Sequence, residues 1–109
     1  MSVELDKLEH MFSLQRILQK RLGTVYNQEF VTMMCLSLHS ETTELLESTP
    51  WKTWKKNQVF DDKNYKYELA DLLHFIINLA LAKGITSDEL YEEFIKKNKE
   101  NHERQDKGY

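Results

Sequence analysis

The residues in this chain best suited to chemistry are acidic and stand at helical spacing. Glu41 and Glu44 are three apart, as are Glu68 and Asp71, and in an α-helix that spacing puts both members of a pair on one face. With 18 acidic residues in 109 positions, random placement gives roughly three such pairs, so the spacing alone is a weak motif. Its context is more telling. Between Glu68 and Asn78 the polar residues are Glu68, Asp71, His74 and Asn78, and all the others are Leu, Ala, Phe or Ile. At about 100° per residue these four fall in one stripe about 120° wide. Asp, His and Asn are poorer helix formers than the Lys, Glu, Gln and Arg of ordinary solvent faces. Ser37, Glu41, Glu44 and Ser48 make a similar stripe earlier in the chain.

Should the two stripes face each other, four carboxylates converge. Two bare carboxylates about 4 Å apart repel by roughly 4 kcal/mol at an effective dielectric near 20. Such a cluster destabilises the fold, takes up protons or binds cations, and hard oxygen donors suit Mg²⁺ or Mn²⁺ bridging to substrate phosphates. From pattern alone a metal site and two solvated faces stand as alternatives. Further along, Lys97, Asn101 and Arg104 share a helix face that leads to Tyr109. An ammonium, an amide, a bidentate guanidinium and a phenol suit a phosphate and sugar. The alternative is a charged outer face, which is the reading for Lys96, Lys99, Glu100 and Glu103.

Four helical segments position these groups. The first spans about Leu5 to Leu22, with Leu5, Leu8, Phe12, Gln15 and Leu18 near one face, and stops at Gly23, a C′ residue. The second runs from about Gln28 to Ser48, ahead of Pro50. A polar and aromatic connector follows, from Thr49 to Asn64, long enough to suggest function. The third helix, about Tyr65 to Lys83, ends at Gly84, and the fourth opens with a capping box at Thr86 and Glu89. The expected fold is all-α, a single domain of four to five helices over residues 1–109. The third helix is apolar over about two-thirds of its circumference, wider than a surface helix needs, which implies self-association.

Composition narrows the function classes. With 15 basic and 18 acidic residues the formal charge is -3, against broad neutralisation of nucleic-acid phosphates. The opening residues MSVELDKLEH have neither a basic start nor an apolar core, so no secretory leader is expected. The most apolar run, Leu72 to Ala82, is interrupted by His74 and Asn78 and is short of a membrane span. The single cysteine, Cys35, has Met33, Met34 and Leu36 around it and reads as a reduced core residue of a cytoplasmic protein. Met33 and Met34 read as core packing.

Three stretches then become recognisable: ETTELLESTPWKTWKKN (Glu41 to Asn57), YELADLLHF (Tyr67 to Phe75) and KNKENHERQDKGY (Lys97 to Tyr109). Together with LQRILQ near the start they resemble the dimeric, all-α dUTP pyrophosphatase family, which is related to MazG and the dCTP pyrophosphatases, and the match spans almost the whole chain. The paired ExxE and ExxD are a loose signature. The Pro-Trp-Lys-x-Trp-Lys stretch, the Asp-x-x-His-Phe element and the KN-x-x-N-x-x-RQ-x-x-GY ending are more specific.

The resemblance implies Mg²⁺-dependent hydrolysis of dUTP to the monophosphate and pyrophosphate, with Mn²⁺ as a substitute ion. Glu41, Glu44, Glu68 and Asp71 would hold the metal, and Glu41 would also orient or deprotonate the attacking water. Lys97, Asn101, Arg104 and Tyr109 would contact phosphates and sugar. Gln15, Trp54, His74 and Phe75 would line the base pocket, with Gln19 where the family usually has Asn, and Asn78 as a further base or interface contact. Without the resemblance, His74 reads as a satisfied core or interface histidine and Trp54 as an anchor of the connector. Lys97 stands only 26 positions after Asp71, where the family usually has an additional helical portion. The expected assembly is therefore a homodimer or homotetramer whose sites are completed across subunits. A dCTP-preferring or broad dNTP pyrophosphohydrolase, and an inert nucleotide- or partner-binding module, are the alternatives.

Overall fold

The computed structural model describes residues 4–108 and contains four helices: α1 (Lys7–Arg21), α2 (Gln28–Glu47), α3 (Asp62–Ala82) and α4 (Ser87–Asp106). No strand occurs among the described residues, so the all-α expectation holds, with four helices.

Each helix begins at a polar side chain that satisfies an otherwise orphaned backbone N–H. Asp6 accepts from the amide of Glu9, Asn27 from Phe30 and Asp61 from Asn64. Thr86 and Glu89 form the expected reciprocal capping box. The Asp61 cap starts α3 three residues earlier than its apolar period suggests. Gly23 and Gly84 close α1 and α3 with φ of 69° and 67°, the left-handed conformation that glycine adopts without a Cβ penalty.

The segment between α2 and α3 is an ordered loop closed on itself. The Asp61 amide donates to the Ser48 carbonyl at 2.8 Å, and the Asn64 side chain donates to Ser48 Oγ at 2.7 Å. Inside it the Gln58 carboxamide accepts from the Lys52 amide at 3.2 Å and donates to the Lys52 and Lys55 carbonyls. Trp51 and Trp54 meet edge to face at 5.6 Å. Long connection and antiparallel return bring α3 back along α2, the most extensive helix contact in the molecule.

The core is small. Phe12, Ile77 and Ala80 are buried, with Leu8, Met11, Leu81 and Leu90 packed around them; α1, α3 and the start of α4 supply it, and α2 contributes no fully buried residue. A bend of 111° separates α3 from α4, and α4 packs chiefly on α1. The result is open: the radius of gyration is 17.6 Å, where a compact chain of this length has about 13 Å. The accessible surface is 9130 Å², against about 6,400 Å² for a folded monomer of this mass.

Two sequence expectations change here. Cys35 is exposed, and Met33 is 51% exposed. Both lie off the half-buried stripe of α2, which carries Met34, Leu38, Glu41 and Leu45. No single helix among the described residues is long and apolar enough to cross a membrane.

Candidate active site

The two acidic stripes do face each other. α2 carries Glu41 and Glu44, α3 carries Glu68 and Asp71, and the close α2–α3 packing joins them. Carboxylate oxygens of Glu41, Glu44 and Glu68 lie within 4.8 Å of one another. Asp71 is not one of these three converging carboxylates but borders them, closely enough to raise the proton affinity of Glu41.

Charge crowding is visible in the proton affinities. Glu41 is raised from the ordinary carboxylate value of 4.5 to about 7, first by a proton shared with Glu44, then by partial burial, the Glu44 charge and Asp71. Glu68 is also raised, chiefly by burial and then by the charges of Glu44 and Asp71. Glu68 is only 6% exposed, and its Oε2 is buried with no hydrogen-bond partner. An orphaned anionic oxygen inside a cluster of carboxylates is costly in a fold. It is the arrangement that a divalent cation relieves, so the donor set fits Mg²⁺ or Mn²⁺, hard ions that take oxygen ligands.

Ser48 and Asn64 brace the cluster from behind. Ser48 is 2% exposed, takes the Asn64 hydrogen bond and donates to the Glu44 carbonyl at 3.5 Å. The loop closure thus holds the last turn of α2 against the first turn of α3.

The remaining polar residues of the α3 stripe belong to a different feature. His74 and Asn78 turn toward α1, where they meet Gln15 and Gln19. Gln15 Nε2 donates to Asn78 Oδ1 at 2.8 Å and Gln19 Nε2 donates to the same oxygen at 3.3 Å. His74 Nδ1 lies 2.7 Å from Gln15 Oε1, and the Asn78 amino group meets the Met34 sulfur at 3.6 Å. Thr24 donates to Gln19 Oε1. Gln15 and His74 also line a cavity of about 150 Å³ whose apolar walls include Met11, Leu14 and Leu73. That is about the volume at which an engineered protein cavity admits a benzene ring. Asn78 and Gln19 are buried behind this cavity and do not line it.

The other site candidates are placed apart. Phe75 is half-buried on α3. Trp54 is 72% exposed on the connector. Lys97, Asn101 and Arg104 are exposed on the far half of α4, on a helix whose main support is α1 and not the acid-bearing pair. Tyr109 lies outside the described residues. Sequence reasoning missed Met34 and Thr24 as members of the amide network. A methionine beside other apolar residues signals packing, and nothing local in the sequence marks its sulfur as an acceptor.

Comparison with known proteins agrees with this architecture. A family profile described as dUTPase matches residues 7–87 and 76–109, two pieces that overlap at the end of α3. The dCTP pyrophosphatase of Enterobacteria phage T4 is 27% identical, over 97% of this chain and 84% of its own length. That alignment runs over 144 positions against 109 residues here, so the relative carries additional residues within the matched span. The dCTP pyrophosphatase of Enterobacteria phage LZ5 is 35% identical over 57% of this chain and 43% of its own length. A DNA replication protein of phage T4 is 24% identical over 88% of this chain and 34% of its own length. No solved structure matches. Facing carboxylate pairs on two packed helices, and a profile match that runs nearly end to end, lead to one assignment: the chain belongs to the dUTPase family of all-α nucleoside triphosphate pyrophosphatases.

Proposed function

We propose that this enzyme is a Mg²⁺-dependent pyrophosphatase that hydrolyses dUTP to dUMP and pyrophosphate, keeping the nucleotide pool clear of that precursor. The observation that carries the reading is the convergence of Glu41, Glu44 and Glu68 with a buried, partnerless Glu68 oxygen. Glu41, Glu44, Glu68 and Asp71 would hold the cation. When bound, Mg²⁺ neutralises the triphosphate and polarises the phosphorus under attack.

The protein's own residues do the rest. Glu41, where the carboxylates of the two helices converge, would orient an attacking water or accept its proton. Gln15 and His74 offer hydrogen-bonding groups in an otherwise apolar cavity on the α1 side of α3, one turn beyond Asp71, which suits a planar base. Lys97, Asn101 and Arg104 bind phosphates and sugar. Because they stand on a helix that leaves the acid-bearing pair, they serve the site of another subunit in a homodimer or homotetramer.

The test is a turnover panel of dUTP, dCTP, dTTP and dATP with Mg²⁺. Preference for dUTP supports the proposal, and equal rates on all four defeat the uracil assignment. The second reading, a dCTP-preferring enzyme, is favoured by the relatives named dCTP pyrophosphatase, and the same panel separates the two.

A further inference from the structure

We propose that Asn78 is a positioning residue: through Gln15 it fixes which hydrogen-bonding group His74 offers to the cavity, and so sets the pyrimidine preference of the enzyme. This rests on the reading above that the cavity receives the base.

The amide network has a direction. A carboxamide has an accepting end and a donating end. Asn78 Oδ1 takes both glutamine amino groups, Gln15 at 2.8 Å and Gln19 at 3.3 Å, which fills its two lone pairs. Gln15 therefore turns its own oxygen toward His74. That oxygen can only accept, so His74 Nδ1, 2.7 Å away, must carry the proton. A neutral imidazole protonated on Nδ1 leaves Nε2 as a bare acceptor.

The opposite direction is self-consistent at every link but one. Reversing Asn78 would place its amino group against two glutamine oxygens and make Gln15 donate to His74 Nδ1, leaving Nε2–H as a donor. It would also set the Asn78 oxygen against the Met34 sulfur, where an N–H now points at 3.6 Å. Two lone-pair atoms in contact repel, so Met34 on α2 sets the sense of the whole relay. Apart from Thr24, which follows α1, the participants lie on α1, α2 or α3, which makes this polarity a property of how the three helices pack.

For the substrate the choice matters at two ring positions. Uracil has a donor at N3 and an acceptor at O4, whereas cytosine has an acceptor at N3 and a donor at N4. An acceptor fixed opposite either position distinguishes them, and a site built to hydrogen-bond one group rejects a partner that lacks it far more strongly than an apolar wall does. An imidazole free to change tautomer would lose that discrimination.

The experiment combines ¹⁵N NMR of the histidine side chains, without nucleotide, with steady-state kinetics on dUTP and dCTP. In the unmodified protein His74 is expected in the Nδ1–H form, the reverse of the Nε2–H form that an unconstrained neutral histidine favours. Asn78→Leu should shift it toward Nε2–H and change the dUTP-to-dCTP ratio of kcat/KM by about tenfold, mainly through KM. Asn78→Asp can only accept, so it should keep both the tautomer and the ratio, while its second oxygen, set against the Met34 sulfur, should lower stability. An Nε2–H form in the unmodified protein overturns the proposal, as does an unchanged ratio in folded Asn78→Leu. Should Asn78→Leu fail to fold, the unmodified protein and Asn78→Asp still decide. Should neither nucleotide be cleaved, the substrate reading fails while the tautomer comparison stands on its own.

Discussion

At the scale of single residues, the acidic cluster trades stability for chemistry. Glu68 is buried and its Oε2 has no partner, so Glu68→Gln removes a charge that its neighbours oppose. The expected outcome is a higher melting temperature for the metal-free protein together with loss of the Mg²⁺-induced thermal shift, read by differential scanning fluorimetry. Glu44→Gln should lower kcat at least about 100-fold, the scale of losing one charge-stabilising group, with the circular dichroism spectrum intact; full activity would remove Glu44 from the site. The pH dependence of the metal-free protein follows from Glu41. Its proton affinity is raised in the folded state, from 4.5 to about 7, so the folded state holds that proton more tightly than the unfolded chain. The resulting stabilisation is fully present below pH 4.5 and is lost as pH rises through about 7. Melting temperature should thus fall between pH 5 and 8 without Mg²⁺. Saturating Mg²⁺ should flatten the profile, because the cation replaces the proton as partner of the same oxygens and binds the folded state.

At the scale of elements, the seating of α4 depends on a few polar groups at its start. Ser87 is buried and donates to Glu9 of α1, and Glu9 is itself held below the usual carboxylate range, first by that hydrogen bond. The capping box at Thr86 and Glu89 orders the same turn. Thr86→Ala is expected to cost about 1 kcal/mol of stability in urea denaturation. Gly84→Ala meets no steric neighbour within 4 Å, yet it places a Cβ at φ 67° and should cost about 1–2 kcal/mol from backbone conformation alone.

At the scale of the whole molecule, the exposed surface exceeds that of a compact monomer by an area typical of obligate assemblies. Ile17 is 65% exposed on α1 and Phe94 68% exposed on α4, and both stand among other exposed apolar residues. Sedimentation equilibrium should return a dimer or tetramer, and Phe94→Asp should weaken association measurably. A stable, well-folded monomer at micromolar concentration would remove the shared-site assembly proposed above.

The four main helical segments, the Thr86–Glu89 capping box and the closing glycines were legible in the sequence because they depend on neighbours three or four residues away, whereas the Asp6, Asn27 and Asp61 caps appeared only in the structure. The ExxE and ExxD spacings were legible for the same reason: a helix of known period puts such residues on one face whatever surrounds it. Tertiary packing alone decided the remainder. It divided the single polar stripe of α3 in two, sending Glu68 and Asp71 to α2 and His74 and Asn78 to α1. It left Cys35 and Met33 outside, away from the half-buried stripe of Met34, Leu38, Glu41 and Leu45 on α2. It also gave Met34 a hydrogen-bonding role that its type does not announce. Spacing along a chain determines which side chains share a face, but only the packing of helices distant in sequence determines what that face meets.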